Sequence, residues 1–278
     1  MLGPLLDVPV VRSVKLGSLS NCVKGRNLLM LAKTLGIPSF VSTESAALRN
    51  LRVVFFDAAG TLFHLPAGVG YHYSEVLARH GVKREEQALA AAFREVWQEI
   101  EPPAFTEGPR PDDDRGWWRE VVSRVLDRCG VGPDEVDRGP FFDELYAEFV
   151  RPAVWRLYSE VEEVLATLGE RFELGVITNF DGRFRVIAEQ LGVAHHFRHV
   201  VISSEVGADK PSPAIFHRAL EIAGVTADEA LHVGDDPVCD WQGAERVGLS
   251  VFRLDRPQND LRELLAQLPT SPSPSSPS

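Results

Sequence analysis

The chain has 278 residues, 44% of them hydrophobic and 25% charged, with a formal net charge of −11. That composition folds as one large or two modest domains, and no apolar run approaches the ~18 residues of a membrane-spanning helix. Residues 1–50 hold six basic and two acidic residues, so the remainder carries −15, which argues against nucleic-acid and membrane-surface partners. An anionic small substrate would then need a local positive centre, from a metal or a particular Lys or Arg. Cys22, Cys129 and Cys239 are odd in number and lack CxxC spacing. They argue against a disulfide framework or a zinc site and fit a cytoplasmic, reducing location.

In chain order, residues 1–50 show no sustained period and are interrupted by Pro4, Pro9 and Pro38. They are expected to be a disordered N-terminal extension that matches a transit peptide in composition alone. A first strand is expected at 53–57, where the run Val53-Val54-Phe55-Phe56 ends in Asp57 and breaks at Gly60. Residues 69–155 carry helical patterns, among them Tyr71–His80, Glu85–Glu101 and Trp117–Cys129. Further strands are expected at 173–178, 198–203, 230–234 and 249–254, with helices at 159–170, 182–192, 213–224, 240–247 and 258–267. This alternation predicts an α/β fold with a doubly wound parallel sheet. Its core is expected at 51–68 and 156–268, with a helical domain at 69–155 inserted after the first strand. Residues 269–278, almost all Pro and Ser, are expected to be a disordered tail.

Four strand ends bring polar groups to one sheet edge, where open α/β sheets bind ligands. They are Asp57; Thr178-Asn179; Lys210, just ahead of a helix with Ser212 as N-cap and Pro213 at N1; and the acidic run Asp235, Asp236 and Asp240. From residue 51 onward the chain has two lysines, Lys83 and Lys210, against 21 arginines. A lysine in so arginine-rich a context suggests a site that needs a compact ammonium. Three carboxylates within six residues repel one another, a cost that a divalent cation shared with Asp57 removes; hard oxygen ligands of this kind suit Mg²⁺. Helix N-terminal carboxylates are the simpler account of the same residues.

From about 51 to 268 the chain resembles the haloacid dehalogenase-like hydrolase superfamily, whose four motifs match Asp57, Thr178, Lys210 and Asp235/Asp240 in order. The inserted helices resemble its type 1 cap on a Rossmann-like core. The run LFHLPAGVGYHYSEVLARHG, the pair Trp117-Trp118 and ITNFDGR resemble the branch that includes haloacid dehalogenase-like hydrolase domain-containing protein 3. The resemblance implies a hydrolase acting on a small phosphorylated metabolite, with Asp57 as nucleophile, Thr178 and the neighbouring amide of Asn179 holding phosphoryl oxygens, and Lys210 neutralising charge. Thr61 joins them on the substrate side. Asp57, the carbonyl of Ala59 and Asp235 would hold Mg²⁺, with Asp240 beside them orienting the set.

One position departs from the pattern. Phosphatases of the superfamily carry a second Asp two residues after the nucleophile, as general acid and base; here it is Ala59, and such a group is worth about 10²–10⁴ in rate. A phosphohydrolase restricted to good leaving groups, a phosphonate hydrolase and a C–halogen hydrolase remain as readings, as does a binding module with vestigial chemistry. The phosphonate reading needs a Schiff-base lysine, for which Lys83 is the available residue, although its charged neighbours suit a surface role. The halogen reading conflicts with the acidic fourth motif and with Phe216 in place of Tyr. His64 and His72 are substitute acids by their titration range and packing residues otherwise. Trp117-Trp118 are expected to anchor the insertion's apolar face, and Asp112-Asp113-Asp114 to form a solvated loop.

Overall fold

The computed structural model describes residues 50–268; the extensions expected at the two ends fall outside them, apart from Asn50. At its centre lies strand β1 (Val53–Phe56), every residue of which is buried. Val54 and Phe56 face one apolar cluster and Val53 and Phe55 another, on opposite sides of the sheet. A strand covered on both faces reads as a continuous apolar run, which is why VVFF shows no alternation. Each such side chain contributes about 1.5–3 kcal/mol relative to exposure.

Strands β4 (Glu173–Thr178) and β5 (His199–Ile202) extend the sheet from one side of β1, and β6 (Ala230–Gly234) and β7 (Ser250–Arg253) from the other. The order is β5-β4-β1-β6-β7, all parallel, with Val53 opposite both Glu173 and Ala230. Chain progression therefore reverses between β1 and β6, and Asp57 and Asp235 leave the sheet on either side of that reversal. Such a switch point is where open sheets open a crevice.

Helices α5 (Val161–Gly169), α6 (Arg183–Gln190) and α10 (Leu261–Gln267) bury apolar side chains in the first cluster; α8 (Pro213–Ala223) packs into the second. Helix α8 begins as expected, with the Ser212 hydroxyl accepting from the Ala214 amide and Pro213 at N1, and ends at Gly224. Two short helices, α7 (Ser203–Val206) and α9 (Gly243–Arg246), complete the core. The helix expected at 240–247 is instead a π-helical turn, Pro237–Gln242, followed by α9. Asp236 caps it by accepting from the amides of Val238 and Cys239, and the widened turn carries Asp240 inward, a use typical of π-turns at functional sites.

Between β2 (Phe63–His64) and β3 (Arg156–Leu157), which pair antiparallel, runs a helical insertion. It comprises α1 (Gly68–Arg79), α2 (Glu86–Glu99), α3 (Arg115–Arg128) and α4 (Arg138–Glu148). These helices bury residues such as Leu77, Leu89, Val125 and Phe141 in a cluster of their own. Helix α4 was hidden in the sequence by a Gly139-Pro140 start and adjacent buried Phe141 and Phe142, which blur a 3.6-residue period.

Asp112-Asp113-Asp114 is not the solvated loop expected. Asp114 is buried and pairs with Arg110 at 2.8 Å, Asp113 accepts from the Gly182 amide and the Ser204 hydroxyl, and Asp112 accepts from Gly116 in the first turn of α3. Spacing in sequence offered no sign that Asp113 would meet the core segments at Gly182 and Ser204.

Candidate active site

Asp57 follows β1 directly, and its amide donates to the carbonyl of Val233 on β6 at 2.8 Å, so both strands fix the residue. The Lys210 ammonium donates to Asp57 Oδ1 at 2.6 Å and to Asp240 Oδ1 at 2.7 Å. Lys210 is fully buried, a state an ammonium tolerates when its charge is paired. Asn179 clamps the Lys210 main chain: its Oδ1 accepts from the Lys210 amide at 2.7 Å and its Nδ2 donates to the Lys210 carbonyl at 2.9 Å.

On the β6 side, Asp235 follows the strand and its carboxylate lies against Gly60. A Cβ at residue 60 would come within 2.7 Å of both Asp235 oxygens, and the φ of +98° there is itself one that side chains avoid. Thr61 Oγ1 reaches Asp235 Oδ1 at 3.4 Å. Carboxylate oxygens of Asp57, Asp235 and Asp240 lie within 4.8 Å of one another, a group of a kind that could hold a metal.

Burial pushes the Asp57 carboxyl up to about 6; Lys210 opposes that shift and Asp240 adds to it. Asp240 is also desolvated, but Lys210 and His232 outweigh burial and hold it below the usual carboxylate range. For Lys210, burial works against the ammonium and the two carboxylates prevail, raising it. Two carboxylates thus pair with one ammonium and a third, Asp235, lies in the same acidic group, and the excess negative charge is what a divalent cation offsets. The donors are hard oxygens, so the residues fit Mg²⁺.

Sequence reasoning missed His232. It is fully buried on β6 with Nε2 3.0 Å from Asp240 Oδ1, and burial holds it below its ordinary value although Asp240 opposes that shift. Its signal was an ionisable residue inside the apolar run Ala230-Leu231-His232-Val233. Arg256 was missed as well: it donates to the Thr61 carbonyl at 3.1 Å, pairs with Glu160 and lies over the Tyr158 ring.

The other residues singled out in the sequence lie around the Asp57–Lys210 pair. Asp240, expected beside the metal ligands as the residue that orients the set, has Oδ1 engaged by Lys210 and His232 and Oδ2 by the Asp236 amide at 2.9 Å. It is placed to orient Lys210. The Thr61 side chain, expected on the substrate side, reaches Asp235, and the side chain of Asn179, whose amide is the group expected to hold phosphoryl oxygens, contacts the Lys210 main chain. Thr178 is buried at the end of β4, beside β1. Ala59 packs among apolar residues and pairs with Phe63.

Of the substitute acids, His72 is buried in the insertion against Glu148, and His64 stacks on Tyr158. Lys83 is exposed between α1 and α2. Trp117 and Trp118 pack with Trp97 in the insertion, and Phe216 sits in the core against His232. No helix among the described residues is long and apolar enough to cross a membrane.

The model of a family described as "Hydrolase: haloacid dehalogenase-like hydrolase" matches residues 51–248. Haloacid dehalogenase-like hydrolase domain-containing protein 3 of Mus musculus is 35% identical over 205 residues, covering 73% of this chain and 81% of its own. Phosphoserine phosphatase of Thermus thermophilus is 38% identical over 147 residues, 51% of this chain and 56% of its own. Among solved structures, the HAD-hydrolase YfnB from Bacillus subtilis bound to magnesium superposes with a TM-score of 0.63 at 19% identity. That match covers 78% of this chain and 98% of YfnB, a likeness of fold.

Proposed function

The chain belongs to the haloacid dehalogenase-like hydrolase family, and from that premise we propose that it is a Mg²⁺-dependent phosphohydrolase of small phosphorylated metabolites. The observation that carries this reading is the buried Lys210 ammonium shared between Asp57 and Asp240, beside the acidic group completed by Asp235. A scaffold without chemistry has no physical need to desolvate that set.

Asp57 and Asp235, with the Ala59 carbonyl, are the groups to hold Mg²⁺, which when bound offsets the negative charge of a transferring phosphoryl group. Asp57 attacks phosphorus, the P–O bond to the leaving group breaks, and an aspartyl phosphate forms. Lys210 balances charge on the nucleophile and on the phosphoryl oxygens, and Thr178 and the Asn179 amide hold those oxygens. Water then attacks phosphorus and releases phosphate and Asp57. Positioning and charge stabilisation of this kind account for most of phosphoryl-transfer catalysis. The helical insertion serves as the cap, and its side chains select the organic part of the substrate.

Ala59 has no proton for the leaving group, so the departing oxygen must be stable as an anion or take its proton from water. We expect turnover of p-nitrophenyl phosphate to exceed that of sugar phosphates by roughly 10²-fold or more, the usual worth of a general acid. Ala59→Asp should narrow that gap, measured below the variant's melting temperature because the carboxyl enters an apolar cluster. Equal rates on both substrates, unchanged by the substitution, would defeat the reading, as would haloacid or phosphonate turnover without phosphatase activity. Asp57→Asn serves as the inactive control.

A further inference from the structure

The segment Thr106–Asp114, which leads into α3 of the insertion, lies on the two core loops that carry Asn179 and Lys210. We infer that it is a positioning strap for those residues, acting through Arg110 and Asp113. This goes beyond the phosphohydrolase reading but uses its site.

Arg110 is buried, and each side-chain nitrogen has an acceptor: Nε the Ala104 carbonyl at 3.1 Å, Nη1 Asp114 at 2.8 Å, and Nη2 the carboxylate of Asp209, which precedes Lys210. Its own amide donates to the Ser204 carbonyl at 2.7 Å. A planar guanidinium supplies that fork of donors; a lysine cannot reproduce it. Asp113 joins the two loops, accepting from the Gly182 amide at 2.9 Å and the Ser204 hydroxyl at 2.6 Å. At the other end of the strap, the Thr106 amide donates to the Gly207 carbonyl at 2.9 Å.

The docking is tight. A Cβ on Gly207 would lie 2.3 Å from the Gly108 carbonyl oxygen and from Thr106 Oγ1, and its φ of +81° already favours glycine. Asp113 and Asp114 adopt left-handed backbone, φ 52° and 60°, two consecutive non-glycine residues in a region that side chains disfavour. The surrounding contacts hold the chain in that conformation. What they gain is a fixed course for 203–210, the short helix α7 and the loop after it, which delivers a buried ammonium to Asp57.

The full-length chain with Arg110→Met, Arg110→Lys and Asp113→Ala tests this, against Arg124→Ala as a surface control on α3. Amide hydrogen exchange reads the loops without turnover, so it stands even if the phosphohydrolase reading fails. Arg110→Met should speed exchange at Gly207 and Lys210 at least tenfold while amides of β1 and β6 stay within twofold of wild type. Asp113→Ala should do the same at Gly182 and Ser204. If p-nitrophenyl phosphate is turned over, kcat should fall tenfold or more with KM within threefold, and Arg110→Lys should recover part of the loss. Unchanged loop exchange overturns the inference, as does a loss of protection spread evenly over loops and strands in both variants. If Arg110→Met does not fold, the Asp113→Ala result decides alone.

Discussion

Lys210 shows how a residue's chemistry is set by what surrounds it. A lysine side chain taken out of water is unfavourable unless its charge is matched, and here two carboxylates match it at 2.6 and 2.7 Å. Asp114 shows the opposite balance: burial raises its carboxyl to about 6 although Arg110 opposes the shift, and Asp209 and Asp181 add to it. Its native pKa therefore lies above the ordinary 3.8. Between those values the native state holds the proton more tightly than the unfolded chain, so this group's contribution to stability falls as pH rises from about 4 to 6. Asp114→Asn should remove that descending component, seen in urea melts across the interval as a stability difference from wild type that changes with pH. A difference independent of pH would show that Asp114 titrates normally.

Elements differ in how much of themselves they declared. β1 and β6 were legible because strands buried on both faces are apolar runs, broken in β6 by His232 alone, and α8 because Ser212, Pro213 and Gly224 mark its ends. α4 and the π-turn were not, since neither follows a simple period. The insertion packs around its own apolar cluster, with Leu77 fully buried in α1. Leu77→Ala should cost about 2–5 kcal/mol, and exchange protection should fall first in α1–α4 while β1, β4 and β6 keep theirs. Equal loss in helices and strands would mean that insertion and sheet unfold as one unit.

For the whole molecule, the balance of charge matters most. A chain with net −11 repels a phosphate ester at long range, and the site must attract it at short range. Raising ionic strength from 0.01 to 0.1 M shortens the screening length from about 30 to 10 Å. KM for p-nitrophenyl phosphate should accordingly fall with added inert salt at fixed Mg²⁺. A rise would show that the pocket's local field already prevails at long range. The β2–β3 pair, the Thr106–Asp114 segment and Arg183, which lies over the Tyr146 ring, all join the two halves.

By itself the sequence determined the fold class and the strand ends that carry Asp57, Thr178 and Asp235, because burial periodicity and end signals are local in the chain, and the ordered motifs, Lys210 among them, gave the family; Lys210 itself lies not at a strand end but in the loop between α7 and α8. Tertiary structure alone decided that Asp240, itself bonded to His232, holds Lys210, that Asn179 clamps its main chain, and that Asp113 and Arg110 bind core segments. Those contacts join residues 8 to 99 positions apart, and a hydrogen bond depends on where two groups meet in space, which no pattern along the chain encodes.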